Sequence, residues 1–151
     1  MSIPLIETRR ALTLVTMSGG SHQRPLVLIV DDFDDARDIY EQYLTFKGYR
    51  VLTAASGAEA IAVARAERPS VILMDLRMMA MTGTEAMKVL RLDPAFSQVP
   101  IVAFTAHALD EEKTIALAAG FDGVIPKPCL PDELMAAIDR LLATPRYEEL
   151  P

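Results

Sequence analysis

The sequence is poor in cysteine: Cys129 is the only one among 151 residues. A single thiol excludes an intramolecular disulfide framework and a multi-cysteine zinc site, and a reducing cytoplasm is the simplest compartment it fits. Long apolar runs are absent as well, so no segment is expected to cross a bilayer as a helix. Cationic side chains are in deficit, with 15 lysines and arginines against 21 aspartates and glutamates and a formal net charge of −6. Partners that select clustered cations are therefore disfavoured, and neither direct DNA binding nor membrane association is expected. Length is also short: such a chain is expected to hold one domain with tails and no second folded output domain.

What is present suffices for a core. Hydrophobic residues make up 51% and charged residues 24%, a balance typical of a soluble globular chain and unlike that of a disordered one. Residues 1–24 read as an extension and linker, with Ser18-Gly19-Gly20-Ser21 flexible by composition and His22 suggesting no role. The short apolar stretch 11–17 lacks a small-residue cleavage pattern, so a signal peptide is not expected, and Met17 is an alternative initiator. Residues 25–143 form the expected domain, and 144–151 a tail whose Glu148-Glu149 pair is solvated.

Within 25–143, short aliphatic runs alternate with longer helical periods. Strands are expected at 26–30, 51–54, 71–74, 101–104 and 123–125, most of them apolar on both faces as in a buried parallel sheet. Helices are expected at 34–47, 57–66, 84–92, 110–119 and 131–142. The first stops at Gly48, the second opens on the capping box Ser56-Gly57-Ala58-Glu59, the fourth ends at Gly120 and the last starts at Pro131. Five strand–helix repeats imply a doubly wound α/β fold whose ligands bind at the carboxyl ends of the strands.

Those strand ends carry chemistry from four separate stretches: Asp31-Asp32 after the first, Asp75 after the third, Thr105 after the fourth and Lys127 after the fifth. Three carboxylates repel one another when bare but suit Mg²⁺, a hard cation that takes carboxylate, water and phosphate oxygens. With a cation bridging, Asp75 can attack phosphorus to give an acyl phosphate. Lys127 can then neutralise the phosphoryl oxygens as a point charge, and the Thr105 hydroxyl can donate to them. Singly, each of these groups reads as a helix cap, a strand end or a surface charge; their weight comes from the set.

The segments Leu28-Ile29-Val30-Asp31-Asp32, Val71-Ile72-Leu73-Met74-Asp75-Leu76-Arg77-Met78, Pro100-Ile101-Val102-Ala103-Phe104-Thr105-Ala106, Ala118-Ala119-Gly120 and Lys127-Pro128, in that order, resemble the response-regulator receiver family of two-component systems, in its stand-alone form. The resemblance covers about residues 25–143. It implies a flavodoxin-like (βα)5 sheet of strand order 2-1-3-4-5, a phosphoacceptor at Asp75 served by Thr105 and Lys127, and a cis peptide between Lys127 and Pro128. It implies Mg²⁺ held by Asp32, Asp75 and the backbone carbonyl of Arg77, with Asp31 in the same acidic set. The phosphoryl donor would be a sensor histidine kinase or a histidine phosphotransfer protein, the state a monomer or weak homodimer, and the activity that of a cytoplasmic regulatory module rather than a turnover enzyme. His107 alone reads as a loop residue without a role, but the resemblance gives its position and that of the Arg77 side chain an influence on how long the phosphoryl group survives.

Two residues depart from the family pattern. Met79 stands where a proline is usual, so the loop after Asp75 is expected to be less restrained. Val124 stands where a tyrosine or phenylalanine commonly swings inward, and a β-branched side chain cannot report in that way. The Met78-Met79-Ala80-Met81 run reads as loop packing rather than a sulfur ligand set. Pro126 removes a ladder donor, which suits an edge strand. The rival readings are a phosphorylation-independent pseudo-receiver, favoured by Val124 and Met79, and a haloacid-dehalogenase-like phosphohydrolase using Asp32-Phe33-Asp34, which leaves Asp75 without a task.

Overall fold

Continuous aliphatic runs form the centre of the molecule. In the computed structural model, which describes residues 24–144, the strands are β1 (Leu26–Val30), β2 (Arg50–Ala54), β3 (Val71–Met74), β4 (Ile101–Thr105) and β5 (Gly123–Pro126). The Gly-Ser linker, Met17, His22 and the Glu148-Glu149 tail lie outside the described residues. All pairings are parallel and the order is β2-β1-β3-β4-β5. Every residue of β3 and β4 is buried, as expected for central parallel strands covered on both faces.

The alternation of side chains along each strand divides the core in two. Leu28, Val30, Ile72, Met74, Ile101 and Ala103 point to one face and pack with Ala60, Ile61, Met87, Leu90 and Ala116 from helices α2 (Gly57–Glu67), α3 (Gly83–Arg91) and α4 (Asp110–Ala119). Val27, Ile29, Val71, Leu73, Val102 and Phe104 point to the other and pack with Tyr40, Leu44, Leu134 and Ile138 from α1 (Asp34–Phe46) and α5 (Pro131–Ala143). The chain is therefore the expected flavodoxin-like (βα)5 fold.

Local chemistry sets the helix ends. Gly48 (φ 93°) and Gly120 (φ 124°) follow α1 and α4 in left-handed backbone, where a side chain is strained. At α2 the Ser56 hydroxyl accepts from the Glu59 N–H at 3.1 Å, as its capping box predicts. Helix α3 begins one residue earlier than the sequence suggests, because Thr82 and Glu85 form a full capping box. A one-turn 3-10 segment, Pro94–Phe96, was not expected; the Asp93 side chain caps it and it buries Phe96.

The β2 edge is tied to α5 by Tyr49, a buried residue whose O–H donates to Asp139 at 2.5 Å. The Arg24 guanidinium lies 5.2 Å from the Tyr49 ring centre and 3.8 Å from Asp139. Burial first and then the Asp139 carboxylate push the Tyr49 hydroxyl above its ordinary pKa. Tyr49→Phe keeps the ring and deletes the bond to a charged acceptor, so it is expected to cost about 1–2 kcal/mol in urea unfolding with an unchanged m value.

Candidate functional site

Parallel strands deliver all their carboxyl ends to one rim, and the ladder continues just far enough to fix the residues there. The Asp31 N–H donates to the Ala54 carbonyl at 3.1 Å and the Asp75 N–H to the Val30 carbonyl at 2.9 Å. In the same register the Lys127 N–H donates to the Thr105 carbonyl at 2.9 Å, which fixes Lys127 on the rim, while Pro126, opposite Thr105 on the edge strand, lacks an N–H that this pairing does not use. Asp31, Asp32, Asp75, Arg77, His107 and Lys127 together line one cavity of about 260 Å³, completed by Phe33, Ala36 and Ala106.

Three carboxylates in this cavity face one ammonium. Asp31 is buried and forms an ion pair with the Lys127 ammonium, which lies 3.9 Å from Asp75 Oδ2 and 5.2 Å from the centre of the Phe104 ring. Asp31 also accepts from the Phe33 N–H at 2.9 Å, and its carbonyl accepts from Arg37 at 2.6 Å, so the start of the β1–α1 loop is held on both sides. Asp32 is exposed and Asp75 half-buried. Desolvation raises the Asp75 pKa; Lys127 opposes this, Asp31 adds to it, and the Arg77 and Leu76 backbone N–H groups lower it. Asp31, Asp32 and Asp75 each present a carboxylate oxygen, all within 4.8 Å of one another. Three convergent hard oxygens fit a divalent cation such as Mg²⁺, which would relieve their repulsion.

The remaining expected residues divide. His107 is exposed on the cavity wall, and its backbone N–H donates to the Thr105 hydroxyl at 3.1 Å. Thr105 itself is fully buried and is not part of the cavity lining. The Arg77 side chain borders the cavity while its guanidinium pairs with Glu112 of α4 at 3.1 Å. Val124, half-buried, packs against the core beside α4. The peptide between Lys127 and Pro128 is cis. Met78 is buried and Met81 packs against the core, whereas Met79 is exposed, and Ala80 adopts φ 66°. The loop is nonetheless tethered: the Met79 N–H, which a proline would lack, donates to Asp32 at 3.3 Å.

Two contributors carried no readable signal. A Cβ at Gly83 would lie 1.9 Å from the Asp75 carbonyl oxygen, so glycine is what allows α3 to start against the Asp75 backbone. Glu112 lies 37 residues after Asp75 and nothing local joins them.

The model for the response regulator receiver domain matches residues 27–139. Curated relatives include the probable transcriptional regulator ycf27 of Pyropia yezoensis, 37% identical over 80% of this chain and 49% of its own length. The transcriptional regulatory protein YvrH of Bacillus subtilis is 40% identical over 74% of this chain and 46% of its own. The chain thus spans about half the length of these relatives. Among solved structures, the Vibrio cholerae chemotaxis protein CheY4 superposes with a TM-score of 0.74 at 36% identity, covering 78% of this chain and 98% of that one. The receiver domain of the Pseudomonas aeruginosa sensor histidine kinase PA1611, solved with a magnesium ion coordinated in its active-site cleft, gives a TM-score of 0.74 at 31% identity over 80% and 99%.

The raised Asp75 pKa fixes the sign of a stability test. A carboxyl whose folded pKa exceeds its unfolded one stabilises the fold when protonated, and that contribution is lost as pH rises through the folded pKa. In divalent-free buffer, Asp75→Asn is therefore expected to melt above the wild type at neutral pH. The gap should close as the solution is acidified below the ordinary aspartate range, which thermal melts across that window will measure.

Proposed function

The chain belongs to the response regulator receiver family, and from that premise we propose that it accepts a phosphoryl group on Asp75 from a histidine-phosphate donor and signals by protein contact. The observation that carries this reading is the placement of three carboxylate oxygens within 4.8 Å of one another beside the Lys127 ammonium. In the transfer, a carboxylate oxygen of Asp75 bonds phosphorus as the P–N bond of a phosphoimidazole breaks, and the electron pair leaves with the ring nitrogen. The product is an acyl phosphate. Asp31, Asp32, Asp75 and the Arg77 carbonyl would hold Mg²⁺, whose charge offsets that of the carboxylates and phosphoryl oxygens. Lys127, beside Asp75, would neutralise the phosphoryl oxygens as a point charge. The Thr105 hydroxyl, buried below the cavity, accepts from the His107 backbone N–H and keeps its own hydrogen to donate, so it meets a phosphoryl oxygen once the loop after β4 moves. Arg77 and His107, on the cavity wall, govern access of the hydrolytic water and so the lifetime of the product.

A protein donor fits the surroundings of the cavity. Phe33, Met79, Leu109 and Leu130 are exposed large apolar side chains, one from each of the four loops that follow β1, β3, β4 and β5. Apolar residues ringing a charged cavity suit a partner that buries a helical face while presenting an imidazole. Among the described residues no helix is long and apolar enough to cross a membrane, and we place the exchange in the cytoplasm.

Incubation with acetyl phosphate and Mg²⁺ is expected to retard the protein on a phosphate-affinity gel and add the mass of one phosphoryl group. Asp75→Asn should abolish both, and Lys127→Ala should slow them by about 10²-fold. Retention of the modification in Asp75→Asn would reject the assignment. The docking ring is tested separately: Leu109→Ser and Leu130→Ser should each slow transfer from a phosphohistidine protein by about tenfold. The rate with acetyl phosphate should not change.

A further inference from the structure

Arg77 faces two ways. Its side chain borders the acidic cavity, and its guanidinium meets Oε1 of Glu112 at 3.1 Å. A second cavity, about 150 Å³, lies beside that pair and is lined by Leu76, Arg77, Thr84, Glu112, Ile115 and Ala116, so the pair bridges the loop after Asp75 and the first turns of α4. The other oxygen, Glu112 Oε2, is buried and meets no hydrogen-bond donor. Among the described residues Glu112 forms no other ion pair.

We propose that Arg77 is a two-position latch: it holds Glu112, and with it α4, while Asp75 is bare, and it leaves Glu112 for the phosphoryl oxygens when Asp75 carries them. The inference rests on the Asp75 reading above and adds the route by which modification reaches α4. The resting contact is easily exchanged, because the Arg77 side chain is 64% exposed and ion pairs in water are weakly held. A phosphoryl group on the neighbouring residue but one brings close to two negative charges and three acceptor oxygens, which a guanidinium binds through two parallel hydrogen bonds.

Departure of Arg77 leaves Glu112 a carboxylate with one oxygen already buried and no cation. Such a charge moves toward water. Glu112 lies in the first turn of α4 with Asp110 and Glu111, so its displacement carries that turn with it. The exposed Leu109 and Ile115 move with it, which changes the surface offered to a partner. This route bypasses position 124, where valine cannot swing.

The test compares amide spectra of ¹⁵N-labelled wild type, Glu112→Gln and Arg77→Gln, before and after loading with beryllofluoride and Mg²⁺. A phosphate-affinity gel after acetyl phosphate runs in parallel. Loading is expected to shift wild-type amides 110–116. Unloaded Arg77→Gln, which leaves Glu112 charged and without its cation, should place α4 amides close to those of the loaded wild type, whereas Glu112→Gln, which removes the charge that moves, should keep them near the unloaded wild type and move them little on loading while still showing the gel shift. The latch is overturned if α4 amides of unloaded Arg77→Gln coincide with the unloaded wild type, if those of Glu112→Gln move on loading as far as the wild type's, or if wild-type amides 110–116 do not move on loading. A wild type without any gel shift overturns the Asp75 reading itself, and the latch with it.

Discussion

Three carboxylates gathered at one rim of an apolar sheet repel one another, and a single ammonium among them makes the arrangement tenable. Lys127 reaches that place because the parallel ladder runs one residue past Pro126: as the Asp75 N–H donates to the Val30 carbonyl, so the backbone N–H of Lys127 donates to that of Thr105. Its side chain then pairs with the buried Asp31, which leaves Asp75 half-buried and Asp32 open to solvent. Burial, the cation and the neighbouring acid act on Asp75 at once, and burial dominates. The site is thus held under electrostatic tension that an added cation relaxes.

How much of this could be read from the chain depended on whether the signal was local. Runs such as Val71 to Met74 announce a strand buried on both faces, and alternation of such runs with helical periods implies a parallel sheet whose strand ends form one rim; the strand order 2-1-3-4-5 is what the family resemblance implies. The Ser56 capping box was equally legible. Thr82 supplies the same motif, but it follows a methionine-rich loop with no helical period, so the sequence pattern marks the start of α3 one residue late. Pro94–Phe96 spans too few residues to show any periodicity. Non-local contacts left no trace: the contact of Gly83 with the Asp75 backbone and the pairing of Arg77 with Glu112 exist only because the sheet brings distant segments together.

Met79, where proline is usual, shows how a departure from a family pattern can acquire a structural use. Losing the ring should loosen the loop, yet the amide hydrogen that comes with any other residue reaches the Asp32 carboxylate. Rigidity from a fixed φ is exchanged for a hydrogen bond to the acidic set. Val124 differs in kind: it packs inward on the α4 side of the sheet, and whatever α4 senses must arrive by another path.

The loop after β3 is closed at its neck. The Gly83 N–H donates to the Leu76 carbonyl at 3.1 Å, and Gly83 itself rests against the Asp75 carbonyl, so the two ends of residues 76–83 are clasped independently of the tip. The tip touches the acidic set through a backbone group rather than through the Met79 side chain, which points to solvent. Side chains at the tip can therefore diversify, and recognition of one partner over another can drift, without disturbing the position of the carboxylate below.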